Sequence, residues 1–240
     1  MVKKKYSILT FIVFGLFFIF LFIISINADE NTKVPSEVYN LASKNFNKIA
    51  SAIVNDLSDN GYNYDLSKFT LGNAYKINYF RPDLLDIVSD NSAVKKISGL
   101  KDLITESDDY LYIINYDDKS FSYITVGKIE DNYEITSFGG EASYFNDCIN
   151  LYKKNGDLKN LRVLAYGPRE FYLVNGNFNS LQVSKDLSNT LIDGDILKDV
   201  ILKSVAKKAD RIKKGLPPER GSGSLLDLYN DYITTITIAN

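Results

Sequence analysis

The 240-residue sequence contains no histidine, no tryptophan, one cysteine and one methionine. The absence of histidine excludes Ser-His-Asp and Cys-His catalysis and removes both the commonest general base and the commonest ligand of catalytic zinc. A single cysteine excludes an internal disulfide, so packing must stabilise the fold. Cys148 lies among Tyr144, Phe145 and Ile149 in a predicted helix, and no base is available to activate it. We therefore interpret it as a buried, unreactive thiol.

The N-terminal segment has the strongest apolar character of the chain. Residues 6–26 carry no charge, follow three lysines at positions 3–5 and precede two acids at 29–30. A run of this length can span the ~30 Å hydrocarbon core of a bilayer. The charge asymmetry predicts a cytoplasmic N-terminus and a body outside the membrane. Residues 1–28 are either a signal peptide cut after Ala28 or a retained membrane anchor, and the sequence supports both.

The body that follows is mildly acidic. All 30 acidic residues but only 25 of the 28 basic residues lie beyond residue 28, which gives a formal net charge of −5. This balance argues against general nucleic-acid binding. We predict one extracytoplasmic α+β domain at residues 29–216, with two sub-parts that meet near 140–158. A flexible linker and C-terminal tail are predicted at 217–240, where residues 225–240 fit either a helix or an edge strand.

Two patterns predict the core of this domain. Pro35 begins a helix whose apolar residues recur at spacings of three and four as far as Leu57. Three aromatic and β-branched runs, at 110–116, 121–126 and 133–138, are separated by short acidic turns. The runs predict an antiparallel meander against which the apolar stripe of the helix packs.

Further elements complete the prediction: a strand within residues 71–80, a helix at 141–154 and a hairpin formed by 161–166 and 171–174. The predicted fold class is α+β, an antiparallel sheet with helices packed on one face, preceded by the N-terminal export or transmembrane helix. A parallel strand at 161–166, or helices on both faces, would contradict this arrangement.

A basic amphipathic helix is predicted at residues 195–216. Residues 198–220 hold eight bases and three acids, and an amphipathic basic helix can lie on an anionic surface. One interpretation is therefore an envelope-surface binder, and the alternative is a docked helix with a solvated basic face. The candidate contacts with an anionic surface lie off the apolar stripe: Lys203, Lys207, Arg211 and Lys214.

Other motifs give weaker signals. Asp56, Ser58 and Asn60 resemble the first half of a calcium loop, but Ser67 stands where the bidentate glutamate belongs. Three Ser-x-x-Lys matches lack the Lys-Thr-Gly element that serine-lysine enzymes require. Acid pairs such as 108–109 could serve a hydrolase only at separations that the sequence does not reveal. The sequence thus predicts no catalytic residue, no metal site and no cofactor.

The order of elements along the chain resembles a group of uncharacterised exported proteins of clostridial-type Gram-positive bacteria. The elements that match are an export segment, a polar spacer, a helix, the run Leu-Gly-Asn-Ala-Tyr-Lys-Ile at 71–77, the strands at 110–116 and 123–126, and Phe-Gly-Gly at 138–140. This resemblance covers residues 1–185 and implies an exported α+β domain without an established activity.

We therefore expect a non-catalytic extracytoplasmic accessory or binding module, secreted or anchored by its N-terminal helix. Its expected partner is an unknown protein or envelope component, together with the cell membrane through residues 6–26 if these are not cleaved. A hydrolase that uses carboxylate pairs or Ser-Lys chemistry is the less favoured alternative, because it needs polar side chains that converge in a deep pocket.

Overall fold

A computed structural model describes residues 34–154, 161–166, 170–178, 180–183, 190–217, 225 and 227–230. Its first helix, α1 (Ser36–Asp59), begins after Pro35 as predicted. Pro35 has a φ of −54°, which suits a residue that leads into a helical turn. Beyond the helix, Gly61 has a φ of +84°, where an L side chain would be strained. The buried residues of α1 form its predicted stripe: Val38, Ala42, Ile49 and Ala50.

The described strands form one mixed but mostly antiparallel sheet. Six of them lie side by side in the order β4-β3-β2-β1-β5-β6, and two four-residue strands, β7 and β8, extend the sheet beyond β6. The strands are β1 (Phe69–Phe80), β2 (Ile104–Tyr116), β3 (Lys119–Ile129), β4 (Asn132–Phe138), β5 (Arg162–Tyr166), β6 (Glu170–Val174), β7 (Ser180–Val183) and β8 (Thr190–Asp193). The helices after α1 are α2 (Leu84–Ser89), α3 (Asn91–Val94), α4 (Tyr144–Lys154) and α5 (Gly194–Lys213).

The predicted meander is confirmed. Strands β2, β3 and β4 pair antiparallel in sequence order. Asp117 and Asp118 join β2 to β3, and both have positive φ angles, of 48° and 61°. This is the backbone of a type I′ turn, which matches the twist of the flanking strands. Residues 130–131 make the second two-residue turn. In the order of the described strands, β4 comes last and forms one edge of the sheet.

The pairing of β5 corrects the predicted arrangement. β5 runs parallel to β1, with Ile77 opposite Val163, rather than forming part of a purely antiparallel sheet. The hairpin of β5 and β6 is antiparallel as predicted. In the chain α4 stands between β4, at the edge of the sheet, and β5, beside β1, and it packs across the strands that separate them. β5 lies between β1 and β6 in the interior of the sheet. Such a strand is buried on both faces, and Val163, Leu164 and Ala165 of β5 are all buried.

Helices cover both faces of the sheet, so the prediction of helices on one face was wrong. Phe145 and Tyr152 of α4 pack with Ile77 and Leu111 on one face. The stripe of α1 packs on the opposite face, and α2 and α5 cover the neighbouring part of that face. The α1 cluster includes Tyr110, Tyr112, Ile114, Ile124 and Val126. The cluster shared by α2 and α5 includes Leu84, Ile87, Leu164, Tyr172, Val174, Leu197 and Ile201.

The predicted N-terminal export or transmembrane helix lies outside the described residues, and none of the described helices is long and apolar enough to cross a membrane. Residues 225 and 227–230 are helical, and Leu225 is buried in the cluster shared by α2 and α5. The predicted boundary at 216–217 stays a prediction, although part of the segment beyond it packs on the body.

Candidate functional site

Asp109, from the acid pair at 108–109, has a structural role in the sheet, and Asp193 has one at a helix end. Asp109 accepts hydrogen bonds from the Tyr79 hydroxyl at 2.8 Å and from the Lys128 N–H at 3.1 Å, so its carboxylate joins β1, β2 and β3. Asp193 caps α5 by accepting the Asp195 N–H at 2.7 Å. These carboxylates are used to hold the fold together rather than to form an acid pair across a cleft.

The calcium-like segment forms the end of α1. The side-chain amide of Asn60 donates to the Asp56 carbonyl oxygen at 2.8 Å, and the Gly61 N–H donates to the Ser58 carbonyl oxygen at 3.0 Å. Among the described residues, no group of three or more His, Cys, Asp or Glu side chains could hold a metal ion. Cys148 is fully buried in α4, and burial raises the pKa of its thiol to about 12.

An ion-pair cluster lies where β1 meets β5. Arg162 of β5 pairs through Nη1 with Glu106 of β2, and the Lys76 ammonium lies 3.6 Å from the same carboxylate. The Asn78 side chain is buried beside them and donates to the Val163 carbonyl oxygen at 3.2 Å. The Lys76 ammonium also lies 4.0 Å from the Asp108 carboxylate, so two bases face two acids in a cluster that connects β1, β2 and β5.

The predicted basic face lies on a docked helix. Leu197, Val200, Ile201 and Ala209 of α5 are buried. Of the four predicted surface bases, Lys214 contacts Asp210 at 2.6 Å and Arg211 donates to the Pro217 carbonyl oxygen at 2.7 Å. Lys203 and Lys207 are exposed residues of the same helix. Their predicted contact with an anionic surface stays a prediction.

A shallow, open groove lies between α1 and the start of β4. It has a volume of about 400 Å³, and its walls come from one side of α1, the β3–β4 turn and the first residues of β4. Apolar contacts come from Leu41 and Tyr133, which also pack against the core. The remaining lining residues are polar: Glu37, Asn40, Lys44, Asp131 and Asn132.

The polar side chains of this groove have no hydrogen-bond or ion-pair partner among the described residues. Within the described part of the chain, the side chains of Glu37, Asn40, Lys44, Asp131 and Asn132 make no hydrogen bond or ion pair. This contrasts with Asp109 and the other carboxylates described above, which accept hydrogen bonds from their neighbours. Polar groups left without intramolecular partners at an open groove are available to a ligand.

The outer edge of β4 adjoins this groove and has no strand paired to it among the described residues. Ile129 and Asn132 pair across a two-residue turn, so the alternation of an antiparallel ladder aims the N–H and C=O groups of Tyr133 and Ile135 away from β3. Unpaired groups of this kind can accept another strand. The register shift opposite Thr125 and Val126 confines the regular part of the edge to residues 132–135.

Sequence reasoning missed the groove because its two walls lie about 90 residues apart in the chain. The run at 133–138 was predicted as a strand, and its burial alternates between half-buried and exposed at residues 132–135. That alternation is the local signal of a strand with one wet face. β4 lies at the sheet edge because β5 pairs with β1, on the opposite side of the meander, and not with β4. The pattern of residues 133–138 carries no information on that pairing.

Comparison with known proteins adds no family to this description. No protein-family model matches the chain, and no curated protein matches it significantly. The resemblance to exported clostridial-type proteins therefore stays an interpretation of the hydrophobic pattern, and the case for a function depends on the groove and the edge of β4.

Proposed function

We propose that this protein is a non-catalytic extracytoplasmic binding module that takes an extended polypeptide segment along the outer edge of β4. The proposal rests on two features of the described part of the chain: an unpaired strand edge, and an adjoining groove whose polar side chains make no intramolecular hydrogen bond or ion pair. In recognition by strand addition, backbone hydrogen bonds supply affinity and alternate side chains of the ligand enter pockets.

The geometry fits this mode of recognition. A segment hydrogen-bonded to Tyr133 and Ile135 would direct every second side chain towards α1, where Leu41 and Tyr133 offer an apolar contact. The short regular edge at residues 132–135 limits the number of backbone bonds. Since small interfaces of this kind belong to transient complexes, we expect dissociation constants of roughly 1–100 µM.

Placement outside the membrane is part of the same proposal. Its support is the asymmetry of three lysines before residues 6–26 and two acids after them. Protease added to intact protoplasts should digest the body, and full protection of the body would contradict this placement. The hydrolase alternative receives no comparable support, because Asp109 and Asp193 serve as a tie between strands and a helix cap within the fold.

Peptide display on the immobilised full-length protein tests strand addition. Fluorescence anisotropy then measures the affinity of the selected peptides for the wild type and for two variants of residue 135. Ile135→Pro removes the outward N–H while keeping the ladder to β3, because proline is tolerated on edge strands. Ile135→Val retains that N–H and serves as the matched control for trimming the side chain.

We expect Ile135→Pro to weaken peptide binding by about tenfold, as the loss of one backbone hydrogen bond predicts, and Ile135→Val to bind like wild type. Thermal melting of both variants checks that they remain folded. Equal binding by the two variants would contradict strand addition, and failure to enrich any peptide over an unrelated exported protein would contradict the proposed function.

A further inference from the structure

The C-terminal end of α5 exposes two large apolar side chains. Ile212 is 58 % exposed and Leu216 is 47 % exposed. The sequence places both on the stripe that faces the core, but Ala209 is the last buried residue of α5. The helix therefore extends past the surface on which it is docked, and its apolar stripe continues into solvent.

The backbone holds this end in a defined turn. Gly215 has a φ of +64°, its N–H donates to the Ile212 carbonyl oxygen, and the Leu216 N–H donates to the Arg211 carbonyl oxygen. This pair of bonds is a Schellman motif, which closes a helix and fixes the residue after the glycine. The Arg211 guanidinium also donates to the Pro217 carbonyl oxygen. Ile212 and Leu216 are thus presented by an ordered turn.

Positive charge surrounds the two apolar side chains. Residues 207–214 contain five bases and one acid, Asp210, which contacts Lys214. Lys208 and Lys213 are exposed and make no hydrogen bond or ion pair in the described structure. Lys208 precedes Ile212 by four residues, so both lie on the same side of the helix.

We propose that residues 208–216, the α5 tip, contact the surface of an anionic lipid bilayer. Ile212 and Leu216 enter the boundary between headgroups and acyl chains, while Lys208 and Lys213 lie over lipid phosphates. The exposed apolar pair favours a bilayer over a hydrophilic anionic polymer, because burial of Ile212 and Leu216 is favourable only in an apolar medium. This contact is separate from the groove beside β4 and does not depend on peptide binding there.

The test uses the full-length chain reconstituted into vesicles. Cys148 is buried, so a cysteine introduced by Ile212→Cys can be labelled selectively with an environment-sensitive nitrobenzoxadiazole dye. Tyr62→Cys, at another exposed position, is the labelling control. Vesicles contain either phosphatidylcholine alone or phosphatidylcholine with phosphatidylglycerol, and spin-labelled lipids report contact of the dye with the bilayer by quenching.

We expect quenching at position 212 in the anionic vesicles, little in the neutral vesicles and none at position 62. Lys208→Gln with Lys213→Gln should lower the ratio of inserted to withdrawn tips by about fivefold for each base. The matched loss of two exposed charges, Lys153→Gln with Lys154→Gln in α4, should leave the ratio unchanged. Added salt should reproduce the loss caused by the tip variants.

Leu216→Ser in the labelled protein separates lipid insertion from simple charge attraction. It should lower the ratio of inserted to withdrawn tips, read from the quenching, by about tenfold, as expected from the loss of one buried leucine side chain. Equal quenching at positions 212 and 62 would overturn the proposal. So would a dye response to soluble polyphosphate equal to that with anionic vesicles, which would assign the tip to anionic polymers instead.

Discussion

The Tyr79 hydroxyl donates a 2.8 Å hydrogen bond to Oδ2 of Asp109, and the other oxygen of that carboxylate accepts the Lys128 N–H. One side chain of β2 thereby connects its two neighbours, β1 and β3. The backbone nearby is closely packed, since a Cβ on Gly127 would lie 3.1 Å from Asp109 Oδ1. Asp109 is therefore a structural residue although it belongs to an acid pair.

Removal of this tie should weaken the meander. In a double-mutant cycle with Tyr79→Phe and Asp109→Ala, we expect a coupling free energy of about 1 kcal/mol, because the bond is charge-assisted but partly exposed. Urea unfolding at neutral pH measures each variant. Tyr62→Phe is the control, since Tyr62 is exposed and its hydroxyl donates no hydrogen bond within the described part of the chain. A coupling near zero would mean that solvent replaces the contact without cost.

Two adjacent glycines provide a second test with a built-in control. Gly139 and Gly140 both have positive φ, but a Cβ at Gly140 would lie 2.8 Å from the Tyr123 ring, whereas a Cβ at Gly139 would meet nothing within 4 Å. Gly139→Ala should cost about 1 kcal/mol of stability through backbone strain. Gly140→Ala should cost a further 1–3 kcal/mol, roughly, because the Tyr123 ring must move. Equal costs in urea unfolding would contradict the packing described for Tyr123.

The Arg162–Glu106 pair predicts part of the acid sensitivity of the fold. The Arg162 guanidinium lowers the pKa of Glu106 from its ordinary value of 4.5. A lowered carboxyl pKa in the folded state stabilises the protein above pH 4.5, and this contribution is lost as the pH falls through the lower folded value. Glu106→Gln should therefore reduce stability at pH 7 by about 0.5–1 kcal/mol, since Glu106 is exposed.

The same variant should flatten the fall in melting temperature below pH 4.5. Glu134→Gln is the matched control, because Glu134 is an exposed glutamate of β4 without an ion-pair partner in the described structure. Its melting curve should follow wild type at each pH. An unchanged acid limb in Glu106→Gln would show that Arg162 contributes little to the stability of the junction.

Cys148 should react with thiol reagents only when the protein unfolds. Burial raises the pKa of its thiol to about 12, so almost no thiolate exists in the folded state at neutral pH. The rate at which the Cys148 thiol reacts with a chromogenic disulfide reagent should rise with urea concentration in parallel with unfolding. A cysteine introduced by Tyr62→Cys should react at once. Rapid native-state reaction at Cys148 would contradict its burial.

Local patterns predicted the elements that depend on neighbouring residues. The meander follows from short acidic turns between β-branched runs, and α1 follows from Pro35 and the apolar stripe. The direction of β5 was not predictable in this way, because Asn78 and Val163, which meet at the junction, are 85 residues apart. The exposure of Ile212 was missed for a related reason: periodicity shows which side of a helix is apolar but not where its docking surface ends.

The groove was even less accessible to sequence reasoning. Lys44 and Asp131 are ordinary surface charges in the sequence, and they become site residues only because α1 packs beside β4. Whether their side chains have hydrogen-bond or ion-pair partners depends on the folded structure and not on the local sequence. The basic character of α5, by contrast, could be read from composition, whereas the ordered turn that presents Ile212 depends on the backbone of Gly215.

The parallel joint between β1 and β5 also bears on how the chain folds. The two hairpins of the meander close over two-residue turns, whereas the β1–β5 contact must close a loop of about 85 residues and pays the corresponding entropy. Local hairpins form on the microsecond scale, and non-local pairing slows the formation of the whole sheet. Until β5 arrives, the inner edge of β1 stays unpaired. The half-assembled sheet, rather than the finished one, is therefore the species most exposed to edge-to-edge aggregation.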